Sequence, residues 1–207
     1  LDGQGHSWIV KFSPAGDNPV AERFRLLLRC EHLALRTLHA AGQPVAHTQL
    51  HERAGRVFLA AQRFDRPPAD VQGQAPGRIG MVSLEAFNAE FVGTVDQWAK
   101  TAQRLHSQGL LSAEDARRLQ LWDAFGQLIA NTDRHYGNVS LLWNGKRWAL
   151  APCYDMLPMR FMPVQGEVPA WAWDMDAVQP SAAVLPVWEE ARALAQRFWG
   201  QVAQMLI

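Results

Sequence analysis

Neither sign of charge dominates this chain: twenty Lys and Arg balance twenty Asp and Glu. That balance removes any general pull toward nucleic acid or anionic lipid, so no direct nucleic-acid binding by this region is expected, though local patches stay open. No apolar run approaches the ~20 residues that a membrane span requires, and the start carries no secretory signal. Cysteine is scarce too. Cys30 and Cys153 lie far apart and make no disulfide framework, so the chain reads as reduced, cytoplasmic and without a membrane partner. Repeats and low-complexity tracts are absent. What is present is apolar substance: 48% hydrophobic against 19% charged residues over 207 positions. That is enough to bury a core as one large domain or two small lobes. Leu1 is not an initiator Met, and "GHSWIVKFSP" enters as if partway through a sheet. A processed or truncated piece is expected.

The pattern begins with a strand at about 6–12 and a long helix at about 19–41, its apolar positions Phe24, Leu27, Leu28, Leu35 and Leu38 spaced helically, with Gly42 as C-cap. Two strands, "PVAHTQLHE" and "RVFLAAQRF", follow around the turn Arg53-Ala54-Gly55. These make a small α+β lobe, residues 1–66. The stretch "DRPPADVQGQAPGRIG" is rich in Pro and Gly and reads as a linker. From there a mainly helical lobe, 67–207, is expected. "SLEAFNAEFVG" is one helix; "SAEDARRLQLWDAFGQLIANTD" is another, with Ser112 and Asp115 in nearly a capping box. After Asn138, "VSLLWNGKRWAL" alternates as a β-hairpin around Asn144-Gly145. Trp171 and Trp173 alternate in a way that suits base stacking, but no basic residues flank them, so packing is expected. The face with Trp188, Leu194, Phe198 and Met205 is read as packing as well.

The hairpin has a chemical consequence. It returns Asp155 toward Asp133 and Asn138, converging three oxygen-bearing side chains in an apolar neighbourhood. Hard cations such as Mg²⁺ take oxygen ligands and share their sites with substrate phosphates. Asp133 and Asn138, with four residues between them, reproduce the Asp-x-x-x-x-Asn of the protein-kinase catalytic loop. In that loop the Asp accepts a hydroxyl proton and the Asn holds a metal ion. Asp155 occupies the place of the second metal ligand after a short hairpin. Upstream, "WIVKF" offers Lys11 to pair phosphates, and Glu31 follows on the long helix, where a kinase keeps the carboxylate that pairs with such a Lys. Taken singly each has a plain reading, as an edge Lys, a helix charge or a turn residue. Four in this order point to phosphoryl transfer. His135 is assigned a role in shaping the loop.

"LIANTDRHYGNVSLLW" and "LAPCYDMLP", with "CEHLALRTLHAAG" and "QRFDR", resemble the HipA family of serine/threonine kinases, toxin components of bacterial toxin-antitoxin systems. The resemblance covers about 6–160 and implies a kinase-like two-lobe fold, with ATP and Mg²⁺ as cofactors, a protein substrate and a DNA-binding antitoxin partner. It implies Asp133 as catalytic base, Asn138 and Asp155 as Mg²⁺ ligands, and Lys11 on the nucleotide phosphates. Gln62, Arg63 and Phe64, after the last small-lobe strand, become the hinge whose backbone meets adenine. Family members carry a Gly-rich, Ser-containing phosphate loop and a further subdomain before the Lys strand. This chain is expected to begin after both, with an incomplete small lobe and weakened nucleotide binding. Asp155 is followed by Met156 and Leu157, which agrees with the family and not with eukaryotic protein kinases. Two other readings stay open: a small-molecule phosphotransferase of the aminoglycoside type, which shares the Asp-x-x-x-x-Asn and the later Asp, and a kinase-fold binding or regulatory module attached to a DNA-binding segment.

Overall fold

The computed structural model describes residues 5–67 and 77–206, so most of the Pro- and Gly-rich linker lies outside the described residues. β1 (Trp8–Phe12) is followed by α1 (Pro19–Ala40), β2 (Thr48–Arg53) and β3 (Arg56–Gln62). The three strands form one antiparallel sheet in the order β1-β3-β2, with Lys11 opposite Leu59. Asn18 caps α1 by accepting the Ala21 N–H, and Pro19 opens the helix where its missing donor costs nothing. The helix stops at Gly42, whose φ of +75° suits a residue without Cβ. Gly42 N–H reaches His39 O and Gln43 N–H reaches Leu38 O, the paired bonds of a Schellman end. The β2–β3 turn is tight, with Ala54 and Gly55 both at positive φ, which matches the twist of a two-residue hairpin.

The second part contains β4 (Met81–Ser83), α2 (Leu84–Phe91), α3 (Trp98–Ser107), α4 (Ala113–Leu128), β5 (Ser140–Trp143), β6 (Trp148–Leu150) and α5 (Trp188–Met205). Ser83 and Ser112 cap α2 and α4 through the N–H groups of Ala86 and Asp115. β4, which the sequence pattern does not announce, adds to the hairpin to give a second antiparallel sheet, β4-β5-β6. The hairpin register pairs Trp143 with Trp148, so its loop is four residues, Asn144 to Arg147. Asn144 Oδ1 accepts the N–H groups of both Lys146 and Arg147. A two-residue turn is thus corrected to an Asx-type loop. β2 is also shorter than its pattern: 44–47 run outside the sheet, and Ala46 N–H donates to Cys153 O while Cys153 N–H donates to Pro44 O.

A single cluster of buried side chains joins Cys30, Leu35 and Leu38 of α1 to Trp122 and Phe125 of α4 and to Leu194 and Phe198 of α5. Each fully buried side chain of this size contributes about 1.5–3 kcal/mol, so α1 is anchored to the helices as well as to its own sheet. Trp171 packs on Phe161 at 4.3 Å between ring centres, and Trp173 donates its indole N–H to Leu128 O. Both tryptophans are packing residues. Trp188, Leu194 and Phe198 are buried on α5, while Met205 at its end is exposed.

Candidate functional site

The site is built from four places in the chain. β1 projects Lys11 toward α1, and Glu31, only 2% exposed, meets it from the helix with Oε1 and Oε2 at 2.8 and 2.9 Å from Nζ. From the other side the Asp155 carboxylate also pairs with Lys11 Nζ. One ammonium thereby bridges two carboxylates. Burial, and after it the charge of Asp155, push the Glu31 carboxyl above its ordinary pKa against the pull of the Lys11 ammonium. For Lys11, burial works against the charge, but Glu31 and Asp155 outweigh it, and its pKa lies above the ordinary value.

Asp155 stands in the left-handed region at φ 56°, unusual for a residue with a Cβ. Strain of this kind gathers at functional sites. A second instance lies where α4 ends. Ala130 has φ 60°, its N–H reaches Gln127 O, and Asn131 N–H reaches Gly126 O. This is a Schellman end with Ala where Gly is usual, a substitution worth about 1 kcal/mol of strain. It turns the chain into the loop that carries Asp133.

That loop is held from inside. Asn131, 1% exposed, accepts the Asp133 N–H at 3.0 Å. Arg134 donates to Asn131 O and, at 3.1 Å, to Asp123 of α4. Asp123 is itself buried and accepts the Ala99 N–H at the start of α3, an end with no side-chain cap of its own. Asn138 Nδ2 donates to Asp133 O at 2.9 Å, which commits the amide nitrogen to the loop and leaves Oδ1 for a ligand. His135 Nδ1 accepts the Gly137 N–H, so its proton sits on Nε2, 3.8 Å from Asp133 Oδ2. His135 shapes the loop, as the sequence suggests. Asp133 remains about half exposed with its carboxylate toward solvent.

Tyr154 joins the two halves. It precedes Asp155, and its hydroxyl donates to the carbonyl of Gly137, which precedes Asn138. The segments that carry Asn138 and Asp155 are thereby tied to each other across the hairpin. The Tyr154 ring also lies 5.8 Å from Phe64. A cleft of about 290 Å³ contains Lys11, Glu31, Phe64, Tyr154 and Asp155 in its wall.

Gln62 and Arg63 line the same cleft, with one adjustment to the expected hinge. Gln62 is the last residue of β3 instead of following it. Its N–H donates to His47 O, and the Arg63 N–H donates to Ser7 O. Both donors are committed to carbonyls that flank the sheet; the Arg63 side chain is engaged as well, by Asp65 through two bonds of 2.9 and 2.6 Å. Asp65, held below its ordinary pKa first by that contact with Arg63, is a clamp on the hinge.

Among the described residues no group of three or more His, Cys, Asp or Glu could enclose a metal ion. Asn138 Oδ1, whose amide nitrogen is bonded to Asp133 O, and the Asp155 carboxylate, paired with Lys11, are oxygens of the kind that Mg²⁺ takes alongside phosphates and water. The expected residues fall into two directly bonded groups, Lys11 with Glu31 and Asp155, and Asp133 with Asn138. Asp65, Asp123, Arg134 and Tyr154 were not in the expected set. Asp123 and Arg134 carried no spacing signal, because they sit eleven positions apart across a helix end.

The sequence profile of the HipA-like C-terminal domain matches residues 1–205. Toxin YjjJ of Escherichia coli (strain K12) is 35% identical over 202 residues, covering 95% of this chain and 43% of the toxin. In three dimensions the chain resembles HipA of Shewanella oneidensis MR-1, solved as a complex of HipA, HipB and operator DNA. The TM-score is 0.64 at 16% identity, covering 97% of this chain and 52% of that one. The chain thus spans about half the length of the relatives it matches.

Proposed function

Because this chain belongs to the HipA family and has a kinase-like fold, we propose that it is the catalytic portion of an ATP- and Mg²⁺-dependent serine/threonine protein kinase. The observation that carries this reading is the Lys11 ammonium held between Glu31 and Asp155 in the wall of the cleft. An isolated surface Lys has no use for two carboxylates, one of them buried. A Lys that must present its charge to phosphates does, because the pair fixes its position before ligand arrives.

ATP supplies the phosphoryl group, and Mg²⁺ when bound offsets the negative charge of the phosphates. Lys11, steadied by Glu31, would contact phosphate oxygens; Asp155 and Asn138 Oδ1 would hold the metal. Asp133 orients the acceptor hydroxyl and takes its proton. In a loose phosphoryl-transfer transition state the protein supplies mainly position and electrostatics, and the buried Asn131 and Arg134 contacts supply that position here. Phe64 and Tyr154 give the cleft an apolar wall for the adenine ring.

The wider role follows the relatives: a toxin-type component acting with a DNA-binding antitoxin, as in the HipA complex with HipB and operator DNA. The test is phosphate incorporation by the intact protein, followed by mass spectrometry, in wild type and Asp133→Asn. Incorporation by wild type alone supports the kinase. Equal incorporation in both removes Asp133 from catalysis, and none in either with ATP still bound leaves a binding module.

A further inference from the structure

α1 carries a stripe of cationic or titratable groups at helical spacing: Arg25, Arg29, His32, Arg36 and His39. The first two are satisfied within the chain. Arg25 donates to Gly16 O and Gly55 O, and Arg29 pairs with Glu52 at 2.7 Å. Beyond them the pattern changes. Arg36 makes no ion pair or hydrogen bond among the described residues, and it lines a groove of about 410 Å³ together with His32, His39, His47 and Thr48. No carboxylate lines that groove. His32 Nδ1 is bonded to Thr48 Oγ1 at 2.8 Å, which leaves Nε2 as its remaining polar atom.

We propose that this groove is a second ligand site, separate from the cleft, for a small anion of the pyrophosphate type. Arg36 would bind it by charge-assisted hydrogen bonds, with the three imidazoles adding donors when protonated. The Arg36 charge has no counterion among the residues that line the groove. His32 sits below its ordinary pKa first through burial, then through Arg36 and His47, and a bound anion would relieve that repulsion. The groove also adjoins the cleft. Ala46 is a wall of both cavities, and His32 follows Glu31 on the helix.

Calorimetric titration of the intact protein with sodium pyrophosphate, without metal and at constant ionic strength, tests the site. Wild type should bind one equivalent. Arg36→Gln and His47→Gln, both at exposed positions, should each weaken binding by about tenfold, while Lys11→Met binds as wild type does. In the Lys11→Met background, ADP matching pyrophosphate identifies a nucleotide's phosphates as the source, and weaker ADP identifies the free anion. Binding that survives both groove substitutions but is lost in Lys11→Met belongs to the cleft and overturns the proposal, as does the absence of binding to wild type. These outcomes are independent of whether the protein phosphorylates anything.

Discussion

Lys11 and Asp155, 144 positions apart in the chain, form one ion pair, and Glu31 closes the same ammonium from the opposite side. Removing the ammonium leaves Glu31 buried without its cation. Lys11→Met should therefore destabilise the protein by about 2 kcal/mol at neutral pH, since a buried polar group stripped of its partner costs on the order of 1–3 kcal/mol. Glu31→Gln in the same background should restore much of that loss. Chemical denaturation of the two variants checks it; equal stability of wild type and Lys11→Met would show the pair to be energetically idle.

The same ammonium sets a pH dependence. Its pKa in the fold lies above 10.5, the value expected in the unfolded chain. Below the unfolded value both states are protonated and the contribution is intact. As pH rises through the folded value, the contribution is lost. Thermal melts carried upward from about pH 10.5 should show wild type falling more steeply than Lys11→Met.

Asp133→Asn keeps shape and hydrogen bonding but removes the charge that accepts the hydroxyl proton. Mg²⁺-ATP binding should persist while phosphorylation falls by about a hundredfold, on the order of a lost general base. Asp155→Ala and Asn138→Ala should show the reverse emphasis, weakening Mg²⁺-nucleotide binding itself. Calorimetry separates the two classes, and unchanged Mg²⁺-ATP affinity in both of the latter variants removes the metal assignment.

Gly126 lies under the Arg134 side chain, and a Cβ built there would stand 2.7 Å from Arg134 Cδ and 3.4 Å from Met156 Sδ. Gly to Ala inside a helix ordinarily stabilises by about 1 kcal/mol. Here the methyl displaces the arginine that ties the Asp133 loop to Asp123, so Gly126→Ala should lower both melting temperature and turnover. A variant as stable and active as wild type would mean that Arg134 does not hold the loop.

The contacts of Lys11 with Glu31 and of Asn138 with Asp133 were legible because each pair lies close along the chain, on adjoining elements or within one loop, and the hairpin signal accounts for the return of Asp155. The caps Asn18, Ser83 and Ser112 follow short-range chemistry in the same way, though the first was not anticipated. What escaped depends on tertiary packing. β4 is three residues long and exists because β5 offers an edge, and Asp123 becomes an anchor only once α3 and the loop arrive on either side of it. The bond between Ala46 and Cys153 has no sequence signature at all, since neither residue type favours it.

That last contact has a mechanical consequence. The paired backbone bonds at 44–46 and 153 tie the strand side of the chain directly to the stretch that carries Asp155. The buried face of α1 and the Lys11 pairs with Glu31 and Asp155 are further ties between the same two parts. A force that pulled the β1-β3-β2 sheet away from the helices would have to break backbone bonds, ion pairs and buried packing together.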